Sequence, residues 1–186
     1  MLGERLQLGY VVSDLDEALR FWTQKMRVGP FVVIEDPVGE ARFVHRGQDS
    51  NVCMRVAFSY VGDTMIELIL QTSDGPSPYL EFLKAGRSGL HHIAYWPRHF
   101  ETALIDASKA GFVEIASMHT PENEQGLGYL DAPPEYGIMI EIVRMTAARQ
   151  KYYRGIQRLA ETWDGERPVR RFATYADYMA SADCSA

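Results

Sequence analysis

The chain contains the same strand–helix unit twice, and this internal duplication constrains the fold more than any other feature of the sequence. The first unit spans residues 7–22 and the second spans residues 92–107, and each begins with strand-like sequence. Apolar residues then recur at i, i+3, i+4 and i+7, as on one face of a helix: Leu15, Ala18, Leu19 and Trp22, then Phe100, Ala103, Leu104 and Ala107. A repeat of this length indicates a duplicated module, because solenoid units are shorter.

Strand-like segments separated by turn residues follow each unit. They lie at 31–35, 41–45, 51–60 and 64–70 after the first unit, and at 112–118, 128–130 and 138–143 after the second. Two half-sheets that each bury one face would share a core or a cleft. The sequence therefore predicts an α+β chain in which the βαβββ pattern occurs twice, with a helical C-terminal tail.

The boundaries of these parts follow from the breaks in the pattern. We expect the first module over residues 1–71, a linker with a short helix over 72–89, the second module over 90–145, and the helical tail over 146–186, with the two modules forming one domain. The tail is predicted to be helical from Ala147 to Trp163 and irregular beyond.

Composition and charge exclude several classes of protein. The 186 residues are 46% hydrophobic and include only two cysteines, which argues against disorder and against a disulfide scaffold. A net charge of −6 is unfavourable for nucleic-acid binding. The longest apolar runs are strand-sized, and the N-terminus lacks the apolar core of a secretory signal. We expect a cytoplasmic protein that binds neither nucleic acid nor membranes.

Two glutamates stand at equivalent places in otherwise apolar strands. Glu67 lies within Thr64-Met-Ile-Glu-Leu-Ile-Leu, and Glu141 lies within Ile138-Met-Ile-Glu-Ile-Val. Because strand side chains alternate, each carboxylate shares a face with apolar neighbours. A carboxylate buried there must be protonated, paired or bound to a metal, since an isolated buried charge is strongly unfavourable. For a single glutamate, exposure to solvent or pairing with an arginine would be a sufficient explanation. Two glutamates at matching positions of a duplicated module are harder to explain in this way.

The opening strands of the two modules add a polar residue at another matching position. Gln7 aligns with His92. A small residue, Gly9 or Ala94, follows each two positions later and leaves space above the same strand face. Taken singly, a surface amide and a core histidine are the simpler explanations. With the glutamates they form one amide, one imidazole and two carboxylates, a set suited to a borderline or hard divalent cation. The neighbouring His91 is predicted to face the opposite side and to be structural.

These segments resemble the vicinal oxygen chelate superfamily, which includes glyoxalase I, methylmalonyl-CoA epimerase, extradiol dioxygenases, and the fosfomycin and bleomycin resistance proteins. The resemblance covers about residues 5–145, and the sequence Ser88-Gly-Leu-His-His-Ile-Ala-Tyr is most similar to the epimerase and its glyoxalase-like neighbours. It implies that the paired βαβββ modules form a mixed, curved sheet around a cleft, and that the cleft holds a divalent metal ion (Zn, Ni, Co, Mn or Mg). The ligands carried over onto this sequence are Gln7, Glu67, His92 and Glu141.

The implied ligand set indicates a reaction. One glutamine, one histidine and two glutamates resemble the set of eukaryotic-type glyoxalase I. Such a cation polarises a substrate carbonyl and favours removal of a proton from the adjacent carbon. The resemblance implies Glu141 as the catalytic base and Glu67 as the second candidate. We therefore expect a metal-dependent, glyoxalase-like lyase or isomerase that acts on a small molecule and, as family members often do, forms a homodimer.

Three other functions fit parts of the sequence. A methylmalonyl-CoA epimerase-like racemase benefits from a carboxylate on each side of the substrate, but residues 51–60, the middle strand of the first module, offer no acid. A non-catalytic small-molecule binding protein of the antibiotic-resistance type does not need all four ligands. An extradiol dioxygenase requires two histidines and one carboxylate around Fe(II), and Gln7 stands where one histidine would be needed.

Overall fold

One mixed sheet of eleven strands organises the chain in the computed structural model, which describes residues 3–185. The strands are β1 (Glu4–Val11), β2 (Phe31–Ile34), β3 (Arg42–His45), β4 (Gln48–Ser50), β5 (Met54–Val61), β6 (Thr64–Gln71), β7 (Gly89–Trp96), β8 (Val113–His119), β9 (Gln125–Asp131), β10 (Met139–Val143) and β11 (Val169–Phe172). Their order across the sheet is β11-β2-β5-β6-β1-β7-β10-β9-β8-β3-β4, and the sheet is open.

Six α-helices connect or flank these strands within the described residues. They are α1 (Leu15–Arg20), α2 (Pro78–Lys84), α3 (Phe100–Lys109), α4 (Ala147–Glu161), α5 (Tyr175–Ala180) and α6 (Ala182–Ser185). A π-helical turn, Phe21–Lys25, extends α1. Between residues 3 and 185, none of the helices combines the length and the apolar character that a membrane crossing requires.

The two halves of the sheet have the same internal arrangement. In β2-β5-β6-β1 and in β8-β9-β10-β7, the opening strand of the module lies beside its last strand. β1 pairs in parallel with β6, β7 pairs in parallel with β10, and an antiparallel β1–β7 pair joins the halves. The predicted α+β fold with a mixed sheet and C-terminal helices is therefore confirmed.

The β3–β4 hairpin lies beside the second half of the sheet, although it precedes β5 in the chain. β3 pairs with β8, and β2 and β3 stand second and tenth in the strand order. In a flat sheet about 38 Å would separate them, whereas the connection from Ile34 to Arg42 spans at most about 28 Å. The sheet must therefore curve, which brings its edges towards each other around the inner face.

Helices cover the outer and inner faces of the sheet in different ways. On the outer face, α1 buries Leu15 and Leu19 against the first half, and α3 buries Phe100 against the second. The inner face is covered by residues 146–185, here called the C-terminal segment, which adds Tyr153 and Ile156 to the largest hydrophobic cluster. The duplicated helices thus leave the inner face to a part of the chain outside the repeat.

The C-terminal segment is more regular than its sequence predicts. α4 ends at Glu161, and the expectation of irregular structure beyond Trp163 was wrong, because β11 pairs in parallel with β2 and is followed by α5 and α6. β11 is polar at its centre, where the Arg171 guanidinium bonds Glu35 at 3.0 Å and Asp16 at 2.5 Å. Such a strand lacks the apolar alternation by which strands are recognised.

Candidate metal centre

Four polar side chains from the centre of the sheet meet on its inner face. They are Gln7 on β1, Glu67 on β6, His92 on β7 and Glu141 on β10. All four side chains are buried, with 1–7% of each residue exposed. The structure therefore brings together every residue that the sequence selects as a candidate ligand, two from each module.

The polar atoms of the cluster lie within a few ångströms of one another. Gln7 Nε2 donates to Glu67 Oε2 at 2.6 Å and to Glu141 Oε2 at 3.2 Å. His92 Nε2 lies 3.4 Å from Glu67 Oε2 and 3.3 Å from Glu141 Oε2. One amide and one imidazole thus face the same two carboxylate oxygens.

Gly9 provides the space that the His92 imidazole occupies. The two residues are partners across the β1–β7 pair, and a Cβ atom on Gly9 would lie 2.0–2.6 Å from three atoms of the ring. Ala94, the partner of Gln7 in the same pair, is fully buried and keeps the equivalent position small. The small residues two positions after Gln7 and His92 therefore shape the centre, as their spacing predicts.

Replacing Gly9 with alanine should displace the His92 ring. We expect divalent-cation affinity to fall about 10-fold or more and the protein to lose about 1–3 kcal/mol of stability, since the ring must leave its packed position. Calorimetric titration with Zn²⁺ and thermal unfolding measure the two effects. Gly126→Ala is the matched control, because its Cβ would make only ordinary contacts of 3.7 and 3.8 Å. Equal losses in both variants would show that the space beside His92 is not required.

Burial and the facing charges set the ionisation of the cluster. Burial raises the pKa of Glu67, and the neighbouring Glu141 carboxylate adds to this effect, while His92 opposes it. Burial alone would lower the pKa of His92, but the Glu141 and Glu67 carboxylates outweigh it and raise the pKa to about 9. A divalent cation would replace the proton on His92 Nε2, and its two positive charges would balance two carboxylates.

The donor atoms fit a divalent cation. Gln7 Oε1 and His92 Nε2 are buried and have no hydrogen-bond partner. Ligands about 2.1 Å from a cation lie about 3.0–3.4 Å from their neighbours in octahedral or tetrahedral geometry. The separations of 3.3 and 3.4 Å from His92 Nε2 to the carboxylate oxygens match this range. Rotation of the Gln7 amide by 180° would turn its unpaired oxygen towards the carboxylates.

Two buried tyrosines support the imidazole from one side. Tyr129 on β9 is the strand partner of Glu141, and its ring packs edge-on against His92 with centroids 5.2 Å apart. The Tyr79 hydroxyl on α2 donates to the Tyr129 hydroxyl at 2.8 Å. Tyr129 is not among the candidate residues that the sequence indicates. Its position opposite Glu141 follows from the register of β9 and β10, which the sequence alone does not provide.

The C-terminal segment closes the inner face above the cluster. Phe58 on β5 is the strand partner of Glu67, and the rings of Tyr153 and Tyr175 pack on it with centroids 6.3 and 6.4 Å away. These aromatic contacts lie beside Glu67 and contribute to its burial. The apolar stripe of α4 signals that this helix packs, but it does not identify the surface that the helix covers.

Two cavities lie beside the C-terminal segment. One has a volume of about 700 Å³ and is lined in part by Trp96 and Tyr153, and the other has a volume of about 290 Å³ and is lined in part by Met118, Arg149 and Tyr175. Trp96 lies on the His92 face of β7, because both have even positions in one strand. Gln7, Glu67, His92 and Glu141 line neither of these two cavities, so the cluster lies beneath packed side chains.

Comparison with known proteins gives one family and a set of similar folds. The model of a family described as the Glyoxalase/Bleomycin resistance protein/Dioxygenase superfamily matches residues 6–129, about two thirds of the sequence. This span includes Gln7, Glu67 and His92 and ends before Glu141. No curated protein matches the sequence.

Solved structures with a similar fold share little sequence with the chain. A hypothetical protein of Bacillus halodurans C-125 has 19% identity and a TM-score of 0.58, over 77% of this chain and 94% of that one. The Mycobacterium tuberculosis methylmalonyl-CoA epimerase has 14% identity and a TM-score of 0.53, over 76% and 87%. A variant of the Streptomyces coelicolor methylmalonyl-CoA epimerase, in complex with 2-nitronate-propionyl-CoA, has 17% identity and a TM-score of 0.53, over 79% and 97%.

Proposed function

Because the chain belongs to the glyoxalase/bleomycin resistance protein/dioxygenase superfamily, we propose that it is a divalent-metal-dependent lyase or isomerase of the glyoxalase type. It would move a proton next to a carbonyl group of a small-molecule substrate. The observation that carries the proposal is the cluster itself: two carboxylates, an imidazole and an amide, drawn from both modules, converge within 2.6–3.4 Å in a buried site.

The cation would be held by the side chains of Gln7, Glu67, His92 and Glu141. When bound, it would supply Lewis-acid polarisation of the substrate carbonyl, which acidifies the neighbouring C–H bond. Oxygen donors with one imidazole suit Zn, Ni, Co, Mn or Mg, and no cysteine contributes to the cluster among the residues described.

Glu141 is the base in this proposal. The family resemblance assigns this role to Glu141. In the metal-free arrangement Gln7 Nε2 lies 2.6 Å from Glu67 Oε2 and 3.2 Å from Glu141 Oε2, so Glu141 has the longer contact with the amide. The Glu141 carboxylate would accept the proton from the hydroxyl-bearing carbon next to the carbonyl and return it to the carbonyl carbon, while the hydroxyl proton moves to the former carbonyl oxygen. The net change is an isomerisation, which requires no oxidant or reductant. Glu67 is the second candidate for the base.

The aromatic cover would exclude water from this transfer. Phe58, Tyr153 and Tyr175 lie beside Glu67 and separate it from solvent. A carboxylate with little water around it is a stronger base, because it loses hydration that would otherwise favour its ionised form. The reacting carbon of the substrate would lie between Glu141 and Glu67.

Metal loading and proton exchange test the proposed function. Purified protein, stripped with a chelator and reconstituted with Zn²⁺, Ni²⁺, Co²⁺, Mn²⁺ or Mg²⁺, is expected to bind about one cation per chain. NMR in D₂O with hemithioacetals of 2-oxoaldehydes and with 2-acyl thioesters should then show deuterium entering at the carbon next to the carbonyl. The stripped protein should show no exchange above the background rate.

The outcomes separate the alternatives. Failure to bind any divalent cation would favour a small-molecule binding protein. Cation binding with neither exchange nor isomerised product in either substrate class would reject proton transfer, and oxygen consumption with catechols would indicate a dioxygenase.

An epimerase is the second candidate function. Glu67 and Glu141 come from opposite modules, so each could serve one side of a substrate held between them. β5 supplies Phe58, not an acid, beside Glu67, so both bases would have to be cluster glutamates. Exchange with loss of configuration at the 2-acyl carbon would favour this reaction over isomerisation.

The proposal also includes where the protein acts and in what assembly. Cys53 and Cys184 are both free thiols, which suits the reducing cytoplasm that we propose as its location. A homodimer is proposed from the family resemblance.

A further inference from the structure

His91 occupies an irregular position in β7. The β1–β7 register passes from Gly9–His92 to Tyr10–Leu90, so β7 has one more residue than β1 at this point, and that residue is His91. An extra residue of this kind is a β-bulge, which interrupts strand alternation and redirects a side chain. His91 therefore does not simply face away from His92, as alternation predicts.

The bulge brings the two imidazoles together. His91 Nδ1 and His92 Nδ1 lie 3.1 Å apart, with the ring planes perpendicular. His91 is 8% exposed. Its ring is held by Phe82, edge to face with centroids 5.0 Å apart, and by Tyr79 at 5.6 Å. The two nitrogen atoms are thus within hydrogen-bonding distance, and the His91 ring lies against aromatic side chains of α2.

The position of the protons follows from what each nitrogen faces. His92 Nε2 points at the carboxylate oxygens of Glu67 and Glu141. To ligate a cation there, Nε2 must carry a lone pair, so the proton of the neutral ring must be on Nδ1. A proton on His92 Nδ1 needs an acceptor, and the atom that faces it is His91 Nδ1.

His91 can act as this acceptor only in one tautomer. Its own proton must then be on Nε2, which lies on the side of the ring turned away from His92. His91 Nε2 is buried and has no hydrogen-bond partner among the described residues. The contact that selects between the tautomers of His91 is therefore the one between the two Nδ1 atoms, 3.1 Å apart.

We propose that His91 is a positioning residue that accepts the Nδ1 proton of His92 and so presents His92 Nε2 to the divalent cation. This role rests on the metal site of the proposed function. Hydrogen bonding at the far nitrogen of a metal-bound histidine fixes the tautomer and the orientation of its ring. Here a second histidine supplies that bond, and a β-bulge places it.

Two substitutions separate the acceptor from the packing. His91→Phe retains an aromatic ring against Phe82 and Tyr79 but removes the acceptor, and His91→Asn retains an oxygen at the position of Nδ1. We expect Zn²⁺ affinity, measured by competition with a chelator, to fall about 10–100-fold in His91→Phe. His91→Asn should recover most of this loss, although it fills less of the pocket.

NMR of the wild-type protein gives a readout that does not depend on folding of a variant. In ¹⁵N-histidine-labelled, Zn²⁺-loaded protein, His92 should show a protonated Nδ1 and a metal-bound Nε2. The Nδ1 proton should resonate at low field because it is hydrogen-bonded, and this signal should shift or vanish in His91→Phe. Protonation of His92 at Nε2, or metal bound at Nδ1, would overturn the proposal.

Phe82→Leu is the matched control, because it loosens the packing of the His91 ring and leaves the acceptor in place. Its Zn²⁺ affinity should stay within about threefold of the wild type, as expected where no ligand or hydrogen bond is lost. An equal loss in Phe82→Leu and His91→Phe would assign the effect to packing and overturn the role of His91, as would unchanged affinity in His91→Phe. Wild-type protein that binds no divalent cation would instead reject the proposed function itself.

Discussion

Replacing Glu141 with glutamine should reduce the rate of C–H exchange in D₂O by about 100- to 10,000-fold while the protein stays folded. Positioned general bases contribute rate factors of this size, and an amide of the same shape cannot accept the proton. The side chain is 3% exposed, so water cannot replace it easily. The exchange rate is measured at saturating cation concentration, so that weaker metal binding does not account for the loss.

The stability of the same variant should change in the opposite direction. The Glu141 carboxylate raises the pKa of Glu67, which shows that the two acids repel each other in the metal-free protein. A neutral amide removes this repulsion. We therefore expect the melting temperature of metal-free Glu141→Gln to equal or exceed that of the wild type, whereas the increase in melting temperature on adding Zn²⁺ should shrink.

Two further substitutions define what this result means. Glu67→Gln should also weaken cation binding, but with cation saturating it should retain more exchange activity than Glu141→Gln. The reverse order would identify Glu67 as the base. Glu17→Gln, at an exposed position on α1, should leave both exchange and cation binding unchanged.

The sequence predicts the composition of the cluster because the duplication and the strand period are both local patterns. Glu67 and Glu141 lie at matching points of the last strands, and Gln7 and His92 lie at matching points of the first. In each module the last strand pairs in parallel with the first. Equivalent residues in equivalent strands therefore meet at the pseudosymmetric centre of the sheet.

The position of the β3–β4 hairpin could not be predicted in the same way. The alternation in 41–45 predicts a strand, but it does not specify which edge receives it. β3 pairs with β8 because the curved sheet brings that edge within reach of the connection that leaves β2. This pairing depends on the finished curvature of the sheet, which no local pattern in the sequence contains.

The bulge at His91 and the cover over the cluster also depend on contacts distant in sequence. Strict alternation assigns His91 to the face opposite His92, whereas the register shift against β1 lets their Nδ1 atoms approach to 3.1 Å. Similarly, the apolar stripe of α4 predicts packing against some surface. That surface is the inner face next to Phe58, where Tyr153 packs, and the repeat does not predict it.

A chain that ends at residue 145 should fail to form the native structure, although it contains both modules and all four cluster residues. The C-terminal segment buries five large side chains in the largest hydrophobic cluster, namely Tyr152, Tyr153, Ile156, Leu159 and Tyr178. At about 1.5–3 kcal/mol each, their burial contributes about 8–15 kcal/mol, which is comparable with the whole stability of a domain, about 5–15 kcal/mol. Near-UV circular dichroism and cation titration of the truncated chain measure the effect.

Point substitutions in α4 give the same test without removing chain. Tyr153→Ala should lose about 3 kcal/mol or more of unfolding free energy, because it leaves a cavity beside Phe58. Lys151→Ala, at an exposed position on the same helix, should change the unfolding free energy by less than about 0.5 kcal/mol. A truncated chain that keeps a cooperative melting transition and wild-type cation affinity would contradict this prediction, and the duplicated modules alone would then form the site. We expect the truncated chain to lose both properties, because Tyr153 and Tyr175 pack on Phe58, the strand partner of Glu67.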